Sequence, residues 1–270
     1  MRRLSDAGYW NALYPSAATH TTRAALLQWC LRSYADVCLW DQLLPQLVPP
    51  GASTSVVEIG SAPGANLVRF HKRFGCDVYG IEYAAQGCAV NRNLFHAQGV
   101  AEDHVIEADF FDAAVQQRYK DRFDVVFSQG FIEHFDDPGT VIAHHLHLLK
   151  EGGLLVITIP NIQQVNYLLT KVFNPAVLPL HNLKIMRVPV FRALFDGLPL
   201  RVVHCGYSGV FSLDIFNTPV GSWKAWLLRV CKFLCLPLQW LLHMVRPRRW
   251  ESAGLSPYLV YAGYKQSSGC

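Results

Sequence analysis

"VVEIGSAPGANL", residues 56–67, carries the reading of this chain. It opens as an apolar, β-branched run that holds one acid, Glu58. It then breaks into Gly60, Ser61, Ala62, Pro63 and Gly64 before helix-forming residues resume. Small residues at the end of a buried strand let the backbone turn sharply and approach a ligand with no Cβ in the way. Pro63 suits the first turn of the following helix, where its missing N–H is not needed.

Outward from this loop the chain alternates. "TSVVEIG" (54–60) reads as a strand and "GANLVRFHKRFG" (64–75) as a helix closed by glycine. "CDVYGIEY" (76–83) is a second strand and "AAQGCAVNRNLFHAQG" (84–99) a second helix. "HVIEADF" (104–110) and "RFDVVFSQG" (122–130) are further strands. "DPGTVIAHHLHLLKEGG" (137–153) is a helix and turn, and "LLVITIPN" (154–161) an apolar strand. Apolar strands alternating with helices predict an α/β fold, a doubly wound sheet covered on both faces. Residues 6–48 read as helical, a lid over 1–50 ahead of a core at 52–161. Two insertions, 161–199 and 210–255, read as caps around a strand at 200–209, and 256–265 is the final strand. The expectation is one domain over 1–270.

Of the 270 residues, 51% are hydrophobic and 16% charged, which places the chain among globular proteins. The net charge of +4 comes without a Lys/Arg run interleaved with aromatics, so no nucleic-acid partner is expected. Eight cysteines contain no C-x-x-C pair, which removes the usual support for zinc or thioredoxin-type chemistry. "MRRLSDAGYW" has no apolar run behind its arginines, so it does not read as a secretory signal, and a cytoplasmic location is the default expectation.

In a doubly wound sheet, ligands sit at the carboxyl ends of the strands. Glu82 ends the second strand about 20 residues beyond the first glycine, where an acid accepts hydrogen bonds from ribose hydroxyls. An adenosine-containing ligand is therefore expected. A dinucleotide calls for G-x-G-x-x-G, but Ala62 stands at the second glycine, and Glu58 would repel a pyrophosphate. A ligand carrying an ammonium and a sulfonium suits both departures.

These motifs resemble the class I S-adenosylmethionine-dependent methyltransferases, especially the small-molecule and lipid enzymes that include the ubiquinone-pathway O-methyltransferases. The resemblance covers residues 52–161 and the final strand. It implies a Rossmann-like seven-stranded sheet of order 3-2-1-4-5-7-6 with the last strand antiparallel. It also implies cofactor contacts from the loop after the first strand (Glu58, Gly60, Ser61, Ala62, Pro63, Gly64). Glu82 would meet the ribose, Tyr83, Asp109 and Phe110 the adenine, and Ser128, Gln129 and Gly130 would lie beneath the sulfonium. The cofactor implied is S-adenosyl-L-methionine. A nicotinamide-dependent oxidoreductase is the rival enzyme, and a catalytically silent relative that only binds, or rests on a membrane, is the rival of another class.

Methyl transfer needs alignment and exclusion of water more than it needs a particular side chain, although a hydroxyl acceptor also needs a base. His134, in "FIEHF", and His181, in "LPLHNLKIM", are the candidate catalytic bases. Tyr9 and Tyr14 could close over the cofactor. "HHLH" (144–147) reads as a surface cluster, so no metal site is expected. "SWKAWLLRVCKFLCLPLQWLLHMVRPRRW" (222–250) segregates Lys224, Arg229, Lys232, Gln239, His243 and Arg246 from Trp226, Val230, Phe233, Leu234, Leu241 and Met244. Its charges disfavour a membrane span, and Pro237 divides it. Two readings stay open, a helix lying in a membrane surface and a cap whose apolar face covers the substrate pocket. Both imply a small apolar or lipid-linked acceptor.

Overall fold

In the computed structural model, residues 1–13, 32–216, 218 and 222–267 are described, and all structural statements concern these. Seven strands form one sheet of order β3-β2-β1-β4-β5-β7-β6. They are β1 (Ser55–Ile59), β2 (Asp77–Glu82), β3 (Val105–Glu107), β4 (Phe123–Gln129), β5 (Leu149–Pro160), β6 (Leu200–Ser208) and β7 (Tyr258–Lys265). β1 to β5 pair in parallel, and β7 runs antiparallel to both β5 and β6.

Ten α-helices accompany the sheet among the described residues: α1 (Ala7–Leu13), α2 (Tyr34–Val37), α3 (Ala65–Phe74), α4 (Ala85–Gln98), α5 (Ala113–Arg118), α6 (Pro138–Leu148), α7 (Gln164–Phe173), α8 (Val188–Ala193), α9 (Trp223–Leu234) and α10 (Leu236–Val245). A π-helical segment, Cys38–Leu43, continues α2.

The period-2 pattern of β1 explains why every one of its residues is buried. Val57 and Ile59 face one core with Val141, Ile142 and Leu146 of α6. Val56 faces the other, beside Leu67 and Phe70 of α3 and Trp40 of the π-helical segment. Glu58 shares that second face by parity, under α3. Gly75 closes α3 in the left-handed conformation at φ 72°.

Three expectations change in detail. The "KEGG" turn is the start of β5, which pairs Leu149 with Phe123 and then slips register before Leu154 meets Val125. Residues 161–199 are only partly a cap. Phe191 and Phe195, spaced i,i+4, are buried in the main core, and Phe195 stacks on Tyr261 at 3.5 Å, so this end of the insertion is a covering layer of the sheet. Residues 14–31 of the N-terminal helical reading, including Tyr14, lie outside the described residues.

Candidate functional site

The carboxyl ends of β1 to β4 enclose a cleft. Gly60 holds φ 70° and donates its N–H to Ile81 O at 2.9 Å. A Cβ there would lie 2.8 Å from the Phe131 ring. Gly64, at φ 92°, leaves less room still, since a Cβ would stand 2.1 Å from Asn91 Oδ1. Asn91 is fully buried and donates to Ser61 Oγ at 2.7 Å. Ser61 and Gly64 therefore fasten the loop onto α4. Pro63 does not occupy the first helical position. Gly64 is the N-cap of α3 and Pro63 precedes it, because the left-handed turn at Gly64 inserts one residue between proline and helix.

Of the residues expected to hold the cofactor, Gly60, Ala62, Glu82, Tyr83, Asp109, Phe110, Gln129 and Gly130 border one cavity of about 100 Å³. Glu58, Ser61, Pro63, Gly64 and Ser128 do not border it. Glu82 Oε1 accepts the N–H groups of Tyr83 and Ala84 at 2.9 and 2.8 Å, and its Oε2 accepts that of Ala62 at 3.4 Å. Burial still outweighs these bonds and raises its pKa.

Arg3 was missed in the sequence, and of the "YWNALY" stretch expected to close over the cofactor it is Trp10, not Tyr9, that borders this cavity. Residues 2–4 pair with the segment after β4. Leu4 N donates to His134 O at 2.8 Å, and Arg3 bridges Phe135 in antiparallel fashion. Arg3 thereby reaches across the cleft to bond Asp109 at 2.5 Å, with its guanidinium 4.8 Å from the Tyr83 ring. Trp10 meets His134 edge-on at 5.0 Å. The cavity is smaller than the roughly 300 Å³ of ordinary ligand pockets, and Arg3 and Trp10 form a strap along its wall.

The electrostatics match a cation. Glu58 is fully enclosed. Asn66 Nδ2 donates to its Oε1 at 2.7 Å, and Oε2 has no partner among the described residues. Burial, with Glu82 adding repulsion, pushes its pKa up to about 8. Protonated near pH 7 in the free protein, Glu58 would be drawn toward ionisation by a ligand ammonium or sulfonium, whereas a pyrophosphate would hold it neutral. The residues present fit S-adenosylmethionine on this ground.

Gln129, at the end of β4, borders that cleft and two further cavities, of about 360 and 240 Å³. The first of these has Arg32, Asp36 and Arg69 on its wall, the second His134 and His181, and Tyr258 and Asp214 line both. His134 and His181 are brought together, with ring centroids 4.5 Å apart. Nδ1 of His134 donates to Leu180 O at 2.8 Å and Nδ1 of His181 to Val177 O at 2.7 Å, which leaves each Nε2 as the acceptor. Burial, with His181 second, lowers the His134 pKa to about 3. His134 is thus a neutral, weakly basic hydrogen-bond acceptor, and His181 is shifted downward by burial as well.

Glu133 was also missed. It is fully buried, its pKa is raised to about 8 by desolvation, and neither carboxyl oxygen has a partner among the described residues. Its carboxylate and the two imidazoles offer ligand atoms all within 4.8 Å of one another, a donor set that could hold a divalent cation. Spacing could not reveal it, because His181 joins from the first insertion. The "HHLH" cluster, by contrast, is not wholly on the surface. His145 is fully buried, 4.9 Å from the Phe110 ring, with Nδ1 bonded to Val141 O at 2.8 Å, because the inward stripe of α6 passes through it.

A methyltransferase-domain family model matches residues 31–192. Curated relatives include phosphoethanolamine N-methyltransferase 2 of Caenorhabditis elegans, 29% identical over 40% of this chain and 24% of that protein. Another is the ubiquinone biosynthesis O-methyltransferase of Thiobacillus denitrificans, 29% identical over 48% of this chain and 55% of that one. The chain thus spans about half or less of these relatives' lengths. Among solved structures, geranyl diphosphate C-methyltransferase from Streptomyces coelicolor, in complex with Mg²⁺, geranyl diphosphate and S-adenosyl-L-homocysteine, shares the fold. Its TM-score is 0.52 at 16% identity, over 85% of this chain and 79% of that one. A SAM-dependent methyltransferase from Archaeoglobus fulgidus matches with TM-score 0.55 at 15% identity, over 89% and 98% of the two chains. With the sheet order and the glycine turn already in place, the chain belongs to the methyltransferase-domain family.

Proposed function

We propose that this chain transfers a methyl group from S-adenosylmethionine to an oxygen of a small apolar or lipid-linked acceptor. The observation that carries the reading is the position of Gln129, the residue shared by the cofactor cleft and both larger cavities. A methyl donor on one side of Gln129 and an acceptor on the other would meet in line.

The cofactor, when bound, supplies a methyl carbon activated by positive sulfur. The protein's part is alignment and exclusion of water, the source of most of the acceleration. Glu82 and its three backbone donors present a fixed carboxylate to ribose hydroxyls. Glu58, held by Asn66, is neutral near pH 7 in the free protein and would ionise more readily beside a bound cation. The strap of Arg3 and Trp10 closes the cleft. On the acceptor side, His134 Nε2 accepts a hydrogen bond from a hydroxyl and orients a lone pair of its oxygen. His181 stands beside it as second acceptor, and Glu133, whose ligand atom lies within 4.8 Å of both imidazoles, takes the released proton when ionised, a form that burial makes more basic than an ordinary carboxylate.

The relatives' names span N-, O- and C-methylation. The O-directed reading is supported by the hydrogen-bond acceptors on the cavity wall. The test is transfer of labelled methyl from S-adenosylmethionine to phenolic and lipid fractions, with His134→Ala alongside. The expected result is a labelled ether or ester in one fraction and a His134→Ala enzyme that loses turnover more than cofactor affinity. Label appearing only on amines or carbon would overturn the oxygen assignment.

A further inference from the structure

α9 and α10 are built inside out. The exposed side chains of α10, Pro237, Leu238, Trp240, Leu241, Met244 and Val245, are all apolar. Its polar Gln239 is buried instead, where Oε1 accepts the Tyr34 N–H at 2.8 Å and Nε2 donates to Phe211 O at 2.6 Å. On α9 Trp226 is 64% exposed and Phe233 71%, while Leu228 packs inward with Phe173 and Phe216. The cap reading in which this apolar face covers the substrate pocket is therefore overturned. Anchoring through Gln239, Leu228 and Leu242 fixes the helix pair with its apolar side outward. α7, packed alongside α9, extends the surface with Leu168 and Val172.

Charge identifies what covers it. Between Asp214 and Glu251 there is no acidic residue, and there are six Lys and Arg. Arg246 and Arg249 are exposed beyond the end of α10. Arg229 and Lys232 line a cavity of about 320 Å³ beside Phe233. Tryptophans flanking an apolar face, with cations that outnumber the one acid beside them, Asp214 at 3.6 Å from Lys232, match the headgroup and acyl boundary of an anionic bilayer. No single helix among the described residues is long and apolar enough to cross a membrane, and α9 and α10 reach that length and composition only together, as a pair bent by 41°. One flank, moreover, is bonded to the domain.

We propose that α7, α9 and α10 are a docking face for an anionic phospholipid membrane, with α9 and α10 lying flat in its surface. Asp214 lines the Arg229–Lys232 cavity and both cavities that meet at Gln129. Asp214 thus separates the face from the transfer site by a single shared wall residue. The proposal extends the lipid-linked acceptor reading, but its assay contains neither cofactor nor acceptor, so the two can fail separately.

The experiment is sedimentation of the full chain with phosphatidylcholine vesicles, with and without phosphatidylglycerol. The wild type is expected to pellet with the anionic vesicles. Trp226→Glu/Trp240→Glu should lower binding by roughly tenfold or more, with S-adenosylhomocysteine affinity and melting temperature unchanged. Arg246→Ala/Arg249→Ala should lower it about fivefold per charge, on anionic vesicles only. Failure of the wild type to pellet, or equal binding by the tryptophan variant, overturns the proposal. A dimer that the tryptophan variant splits, with no vesicle binding, would also overturn it and assign the face to a second copy of the chain.

Discussion

Asn66 Nδ2 donates to Glu58 Oε1 at 2.7 Å, which ties the acid of β1 to the helix that follows the glycine turn. The bond does not offset the burial of this carboxyl, and Glu58 keeps its proton up to about pH 8. Glu133 behaves alike.

Stability should therefore fall as the pH rises above the ordinary histidine pKa of 6.5. Above it, Glu58 and Glu133 hold protons in the folded chain that the unfolded chain has released, so folding loses free energy as pH rises toward 8. The slope is at most about 1.4 kcal/mol per pH unit for each group. Below pH 6.5 the depressed pKa values of His134 and His145, about 3 and 4, act in the opposite direction. Unfolding lets them bind protons, and His181, lowered by burial as well, acts in the same direction. Melting temperatures across pH 5–8.5 without ligand check this, and Glu58→Gln should flatten the alkaline side.

Gly64→Ala and Gly99→Ala separate backbone strain from packing. Both positions have positive φ, at 92° and 73°, but a Cβ at Gly99 meets nothing within 4 Å, whereas at Gly64 it strikes Asn91. Gly99→Ala should cost about 1 kcal/mol and Gly64→Ala about 2 kcal/mol or more, read from denaturant midpoints. Equal losses would mean that the Ser61–Asn91 fastening is not tight.

Arg3→Ala should speed dissociation of S-adenosylhomocysteine about threefold to tenfold by removing the cation above Tyr83. It should barely move the melting temperature, since the Arg3–Asp109 pair is partly solvated. Stopped-flow displacement and a thermal melt check the two halves.

Gln239→Leu should destabilise the chain by roughly 2 kcal/mol or more, because it leaves Tyr34 N–H and Phe211 O without their partner. Limited proteolysis should then cut near α10 first.

The sheet could be read from the sequence because its signals are local. Val56, Val57 and Ile59 announce a buried strand within five residues, and the glycines at 60, 64 and 75 mark turns that no other residue makes cheaply. Glu82 followed from a strand end in the same way, and Gln129 from the resemblance of its motif. Arg3 did not, because its role depends on an antiparallel pairing with Phe135, far along the chain. Glu133 and His181 meet only through the fold of the first insertion. The orientation of α10 was hidden as well. A helical wheel gives two faces but not which one looks inward, and two hydrogen bonds from one glutamine decide it.

The most direct measurement is a calorimetric titration of the purified chain with S-adenosylhomocysteine and, separately, with NAD. Micromolar binding of the first and none of the second is the predicted result. Binding of NAD alone, or of neither by a folded protein, would contradict the assignment of the Gly60–Gly64 turn to a sulfonium cofactor.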